Sequence, residues 1–236
     1  MVPARLTVEP ARDPTGSRSR MPEQRYIYPR MNKLLNHLLL AEGRGDDVTD
    51  VVTGLAGMTK GTYNRMQKKS PKALPRWDKE TPTDDQLMTA SRMYANKIYS
   101  DFIDPESNLY LEGFDSLPEP AQDGIISSAY NLGEKSMSGF PGFRRAVKNK
   151  DPYEAMKQLL DTANTEGRSS KGLALRRARE FNSVASKLGR PRINRVVASE
   201  DGTISYLGQS EDGQALEILR YKKPRHETSK PGIVDI

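Results

Sequence analysis

A succession of capped amphipathic segments between residues 31 and 188 most constrains what this chain can fold into. Apolar side chains between residues 31 and 39 recur at i, i+3, i+4, i+7 and i+8, which predicts a first helix ending near Glu42. Thr83 precedes two aspartates, so it is a good N-cap for a second helix. The pattern therefore predicts a mainly α domain.

Later helices are predicted from their end signals, which are a helix-breaking glycine or an N-cap followed by proline. They run from Pro118 to Asn131 with a stop at Gly133, from Asp151-Pro152 onwards, and from Ser170 to a stop at Gly189. A segment of this length is enough to bury the core of a single domain.

Residues 1–30 differ in composition from this helical segment. They contain five prolines and six arginines against three acidic residues. Such a segment cannot bury enough apolar surface to offset the entropy lost on ordering. We therefore predict an extended N-terminal arm over residues 1–30 that is held by a partner, followed by a helical domain over residues 31–188.

Residues 189–236 show a third pattern. Short β-prone runs at residues 195–198, 203–207 and 215–221 flank two Glu-Asp-Gly turns, which predicts a hairpin with an added strand. So small a sheet is not stable alone, so we expect it to dock on the helical domain or on a partner. The remaining residues from 222 onwards are predicted to be a polar tail.

Composition excludes several classes of site. The chain has a net charge of +6, no cysteine and two histidines, His37 and His226. Disulfides, thiolate chemistry and a zinc site are therefore not expected, and no cofactor is implied. The longest apolar run, Leu38–Ala41, is too short for a membrane span, and no cleaved secretory signal is predicted.

The stretch from Ala41 to Gly61 has the residue types that glycosidic cleavage needs. Glu42 ends an apolar helix and precedes a glycine-rich loop with further carboxylates and hydroxyls. One carboxylic acid must protonate the leaving oxygen, and a second polar group must position water. The alternative interpretation of Glu42 is a solvated surface charge.

Two downstream segments accompany this loop. Tyr130-Asn131-Leu132-Gly133 ends the third predicted helix, and residues 172–180 have the pattern G-L-x-x-R-R-x-x-E. The structural interpretation places Tyr130 in the core. For the second segment it predicts a solvated basic face with a weak i, i+4 pair between Arg176 and Glu180.

Taken in this order, the three segments resemble the phage-type lysozymes of glycoside hydrolase family 24 and the related family 108. The resemblance covers roughly residues 31–188. It implies a mainly α (α+β) lysozyme-like domain with a small β hairpin beside the active site. It also implies hydrolysis of the β-1,4 bond between N-acetylmuramic acid and N-acetylglucosamine in peptidoglycan, with no metal or cofactor.

The resemblance also implies roles for individual residues. Glu42 would be the general acid, Asp50 would activate water, and Thr59 would help to place that water. Thr53 stands in a similar string and is an alternative to Thr59, while Asp46 or Asp47 could replace Asp50. For the saccharide cleft, the family implies Asn131, Tyr130, Thr53 and Arg176 as lining residues. Arg176 or Arg177 would also pair with Glu42 or with a neighbouring acid.

An ordered arm and an added β segment favour a protein fixed in an assembly. We expect a lysozyme of the phage virion, in the tail or an internal structure, that contacts other virion proteins through residues 1–30 and 189–236. It would act on the cell wall during DNA entry. The alternatives are a structural tail protein with an inactive lysozyme-like fold, and a lytic transglycosylase.

Basic and aromatic side chains between residues 68 and 77 have two interpretations. Lys68, Lys69, Lys72 and Arg76 form either a solvated loop or a surface that attracts the anionic cell wall. Trp77 is expected to pin this loop rather than to stack on a sugar. No motif supports specific nucleic-acid binding.

Overall fold

The computed structural model describes residues 59–77, 81–164, 171–198, 203–209, 213–222 and 232–235. In chain order, the α-helices are α1 (Lys60–Lys69), α2 (Asp84–Ile103), α3 (Glu119–Leu132), α4 (Pro141–Lys148), α5 (Pro152–Leu160) and α6 (Lys171–Lys187). The strands are β1 (Ile193–Ala198), β2 (Thr203–Gln209), β3 (Ala215–Lys222) and β4 (Gly232–Asp235).

The predicted fold class, mainly α with a small C-terminal β segment, is confirmed. The helix predicted over residues 31–42 and the arm over residues 1–30 lie outside the described residues. The same holds for residues 43–58 of the predicted active-site hairpin. Among the helices that the structure describes, none is both long and apolar enough to cross a bilayer.

Helix α2 begins as its cap residue predicts. The Thr83 hydroxyl accepts a hydrogen bond from the Gln86 backbone at 3.3 Å, and the Thr83 backbone donates to the Gln86 side chain at 2.8 Å. This reciprocal pair satisfies two backbone N–H donors that would otherwise need water. The inward face of the helix is buried, and it includes Leu87, Tyr94, Ile98 and Phe102.

Helix α3 is the central helix of the domain and packs against α2, α5 and α6. Ile125, Ile126 and Ala129 are fully buried, and Gly133, with φ +81°, ends the helix as predicted. The Gln122 amide fixes the entry loop, because it donates to the carbonyl oxygens of Phe114, Asp115 and Leu117 at 3.3, 3.1 and 2.9 Å.

Two helices were not predicted. Residues 60–62 belong to α1 instead of the predicted loop, since Thr59 caps a helix whose apolar face is only Tyr63 and Met66. Helix α4 has eight residues and begins with proline and glycine. Helices this short show too few apolar repeats for their period to be recognised in the sequence.

The C-terminal strands form an antiparallel sheet in the order β3-β2-β1-β4. The predicted hairpin and its added strand are confirmed as β1, β2 and β3. The prediction of a polar tail beyond residue 222 is wrong for residues 232–235, which pair with β1. Their strand had no signal in the sequence, because four residues are too few to show alternation.

Three polar contacts join the sheet segment to the helices. The Asn182 amide of α6 donates to the Ile193 carbonyl at 2.6 Å, and its oxygen accepts from the Ile193 backbone at 2.7 Å. The buried Tyr206 hydroxyl donates to the Leu160 carbonyl at 3.2 Å. The Tyr153 hydroxyl donates to the Pro191 carbonyl at 3.2 Å. The sheet therefore docks on α5 and α6.

Asn182 provides a test of this docking. We expect Asn182→Ala to lower the free energy of unfolding by about 1–3 kcal/mol, because it leaves both backbone groups of Ile193 without their partner. The control is Asn194→Ala, since Asn194 is exposed on β1 and should change stability by less than about 0.5 kcal/mol. Urea unfolding measures both, and equal midpoints would contradict the proposed role.

Candidate functional site

The structure describes four of the predicted site residues. Glu42, Asp50 and Thr53 lie outside the described residues, as do the alternatives Asp46 and Asp47. Thr59, Tyr130, Asn131 and Arg176 lie within them.

Thr59 is the N-cap of α1 and is exposed. Its hydroxyl accepts a hydrogen bond from the Thr62 backbone at 3.2 Å and donates to the Thr62 hydroxyl at 3.1 Å. The Thr62 hydroxyl also accepts from the Arg65 guanidinium at 3.0 Å. The predicted water-placing hydroxyl therefore stands at the solvent-facing start of a helix and takes part in its cap.

Tyr130 belongs to the core. It is 7% exposed, its hydroxyl donates to the Ser91 hydroxyl at 3.0 Å, and its ring lies 5.2 Å from that of Tyr94. This placement agrees with the structural interpretation of the segment. It does not favour direct contact with a saccharide.

Asn131 is half-buried in the last turn of α3, one residue from the end of the helix. A cluster that sequence reasoning missed lies close by in the chain. Lys97 of α2 forms ion pairs with Asp101 at 2.5 Å and with Glu134 at 2.8 Å. The only sequence signal was the i, i+4 spacing of Lys97 and Asp101, because Glu134 follows 33 residues after Asp101.

The electrostatics of this cluster favour its charged state. Burial alone would lower the pKa of Lys97, but the hydrogen bonds to Asp101 and Glu134 outweigh it and raise that pKa. The neighbouring Tyr94 also has a raised pKa, first because it is buried and then because the Glu134 carboxylate is near. The cluster holds the start of the turn after α3, next to Asn131.

The G-L-x-x-R-R-x-x-E motif forms a buried ionic cluster rather than a solvated face. Arg176, Arg177 and Glu180 are 4%, 1% and 4% exposed. The expectation that the arginines reach outward is therefore wrong. Ala174, Ala178 and Phe181 form the buried stripe of α6, and Arg177 lies three residues after Ala174 on that stripe. This spacing was the signal that could have indicated burial.

The four groups of this cluster are joined by short hydrogen bonds. The Glu180 carboxylate pairs with Arg176 Nε at 3.2 Å and with Arg177 Nη1. Ser127 of α3 donates to Glu180 Oε1 at 2.5 Å and accepts from Arg176 Nη2 at 2.7 Å. We call these residues, Ser127, Arg176, Arg177 and Glu180, the α6 cluster.

Charge explains why Glu180 is ionised. Burial alone would raise the pKa of Glu180, but Arg177, Arg176 and the Ser127 hydroxyl together hold that pKa below its ordinary value. Two guanidinium groups here face one carboxylate, so the described groups of the cluster have a net charge of +1.

Trp77 packs against the domain, in agreement with the predicted role of pinning its loop. Its ring is half-buried and meets the buried Tyr63 ring edge-on, with the centroids 5.2 Å apart. Lys68, Lys69, Lys72 and Arg76 around it are exposed. The indole therefore pins the turn that follows α1.

Comparison with known proteins gives one partial similarity. The chain is 32% identical over 100 residues to the peptidoglycan hydrolase gp36 of Enterobacteria phage SP6. The aligned part is 42% of this chain and 10% of that protein, so the chain spans about a tenth of the length of the curated relative it matches. No protein-family model matches the chain. No solved structure matches it significantly.

Proposed function

We propose that this chain is a peptidoglycan-degrading muramidase of a phage. It hydrolyses the β-1,4 bond between N-acetylmuramic acid and N-acetylglucosamine. Glu42 protonates the leaving oxygen, and Asp50 with Thr59 or Thr53 directs water to the anomeric carbon from the opposite side. The resemblance to glycoside hydrolase families 24 and 108 implies inversion of configuration.

The α6 cluster is the observation that carries this proposal. Three of its residues belong to the G-L-x-x-R-R-x-x-E motif, and they place two guanidinium groups beside a carboxylate in the interior of the domain. Glu42 is the carboxylate that the resemblance assigns to one of these arginines. We propose that Arg176 or Arg177 pairs with Glu42 or with a neighbouring acid, as the resemblance implies.

The similarity to a phage protein named peptidoglycan hydrolase supports the choice of substrate. A mainly α fold with an added sheet supports the same choice, because the family that the motifs resemble has a mainly α domain. We further propose that the chain is carried in the virion, in the tail or an internal structure, and that residues 1–30 and the sheet segment contact other virion proteins.

A second function is favoured by one contact. The Thr59 hydroxyl donates its proton and accepts one hydrogen bond within the cap of α1, so as the catalytic threonine it would keep one acceptor position for water and no donor. This contact favours Thr53 as the catalytic threonine of the proposed muramidase. It also favours the second function, a structural virion protein that has kept the fold without the activity.

Product analysis separates the possibilities. The full chain is incubated with purified Gram-negative peptidoglycan, and the released fragments are identified by mass spectrometry. We expect muropeptides with reducing ends. Fragments with 1,6-anhydro ends would instead show a lytic transglycosylase, and no fragments from a folded chain would show the inactive structural protein.

Virion association has its own measurement. Purified, washed phage particles are probed with an antibody to the chain, beside the lysate of infected cells. We expect the chain in the particles at a fixed ratio to a major tail protein. Its presence in the lysate alone would contradict the proposed location and would leave the cell-wall activity unaffected.

A further inference from the structure

The first described segment is strongly basic. Residues 59–77 contain six lysines and arginines and no acidic residue, while the whole chain has a net charge of +6. The excess positive charge of the chain is therefore equal to the charge of this single segment. We call its four lysines, Lys60, Lys68, Lys69 and Lys72, the α1 basic surface.

Packing turns these lysines toward solvent. Tyr63 and Met66 form the buried side of α1, and Leu74 with Trp77 anchors the turn that follows. The four lysines are exposed, and none of them belongs to an ion pair between described residues. Lys97 and Lys148, by contrast, each pair with a carboxylate. The α1 basic surface therefore keeps its charge for an external anion.

The surface begins next to one proposed site residue, since Thr59 caps the helix and Lys60 follows it. An α-helix of this length spans about 15 Å, so Lys60 lies at its start, Lys68 and Lys69 lie at its end, and Lys72 lies in the turn that follows. The inference rests on the proposed function, because that function makes residues near Thr59 part of the saccharide cleft.

We propose that the α1 basic surface binds the stem peptides of a peptidoglycan strand through their carboxylates and so holds the strand beside the cleft. Stem-peptide carboxylates are repeated along the glycan, so lysines at both ends of α1 can meet more than one of them. Nucleic acid is less suited to this surface, since single strands bind where aromatic rings are exposed for stacking. Here Tyr63 is buried and Trp77 packs against it.

The test measures binding without cleavage. The full chain carrying Glu42→Gln is mixed with insoluble peptidoglycan sacculi at low salt, and the bound fraction is measured after sedimentation. In that background Lys60, Lys68, Lys69 and Lys72 are all replaced by glutamine. The control replaces four exposed basic residues outside the surface, namely Lys135, Arg145, Lys150 and Lys187, by glutamine. Both variants lose the same charge, and circular dichroism checks that both fold.

We expect the α1 variant to lose roughly tenfold in affinity, the product of four weak exposed ion pairs, and the control to lose less than about twofold. Binding of the parent should fall as salt rises and should be lost on sacculi whose carboxylates have been amidated. Equal losses in the two variants, or undiminished binding to amidated sacculi, would overturn the proposal, as would no binding by the parent. Competition by double-stranded DNA that is as strong as competition by soluble peptidoglycan fragments would also overturn the proposal.

This experiment can fail independently of the proposed activity. If the chain releases reducing-end muropeptides and the α1 variant still binds sacculi as well as its parent, the proposed activity stands and the proposal for the α1 basic surface fails. If the chain binds sacculi through the lysines but releases no fragments, the proposal for the α1 basic surface stands and the proposed activity fails. The chain would then be a wall-binding virion protein.

Discussion

Replacing Glu42 with glutamine should reduce the release of muropeptides from purified peptidoglycan by about 10²–10⁴-fold. Glutamine has nearly the same size as glutamate, but it has no proton of suitable acidity for the leaving oxygen. The initial rate of reducing-end formation, compared with that of the unmodified chain, measures the effect.

The matched control for this variant is Glu106→Gln. Glu106 is exposed in the loop after α2, where its backbone donates a hydrogen bond to Asp104 Oδ1 at 3.0 Å. We expect it to retain full activity. If Glu42→Gln remained folded and as active as the control, Glu42 would not be the general acid, and the carboxylates that follow it in the loop would be tested next.

Much of the fold could be predicted because several helices have recognisable start or stop residues in the sequence. Thr83 with Gln86 forms a capping box, Asp151 caps a helix that starts with proline, and Gly133 ends α3. These signals act within a few residues, so a single sequence contains all the information they need. Helices α1 and α4 were missed although Thr59 caps the first and the second begins with proline, because each shows too few apolar repeats.

The candidate site shows where local reasoning stops. Arg176 and Glu180 are four residues apart, and at that spacing an exposed weak pair is the ordinary expectation. Their burial depends on Ser127, which is 49 residues away from Arg176 in sequence and supplies a hydroxyl from α3. Lys97 and Glu134 are likewise joined across 37 residues. Pairings of this kind depend on how helices pack, and one sequence does not specify that.

Burial also changes the role that the motif suggests for Arg176. A side chain with 4% exposure has little surface for a saccharide, so under the proposed function Arg176 acts through the groups that it touches. One of these is Glu180, which links Arg176 to Arg177. The α6 cluster joins α3 to α6, and under the proposed function it has the additional role of pairing with an acid of the site.

This dual role predicts a large loss of stability when Glu180 is neutralised. We expect Glu180→Gln to lower the free energy of unfolding by about 3–5 kcal/mol at neutral pH, because two buried guanidinium groups lose their carboxylate. The matched control is Glu217→Gln. Glu217 pairs with Arg220 at 2.9 Å across the same three-residue separation as Glu180 and Arg177, but on the surface, so its loss should cost less than about 1 kcal/mol.

Ser127→Ala provides a milder form of the same change. It removes the hydroxyl that donates to Glu180 and accepts from Arg176, and it leaves all three charges in place. We expect it to cost about 1–3 kcal/mol. If Glu180→Gln does not fold, this variant still tests the cluster, and a cost no larger than that of Glu217→Gln would contradict the stabilising role.

The lowered pKa of Glu180 determines how the stability of the chain depends on pH. The pKa of Glu180 is lower in the folded chain than in the unfolded chain, where a glutamate has a pKa of about 4.3. Its contribution is therefore fully present above that pH and is lost as the pH falls through the folded pKa. Urea unfolding of the unmodified chain and of Glu180→Gln should give a constant difference from pH 7 down to about pH 5, and the two should converge at more acidic pH. A difference that stays constant down to pH 2 would show that the Glu180 charge does not stabilise the fold.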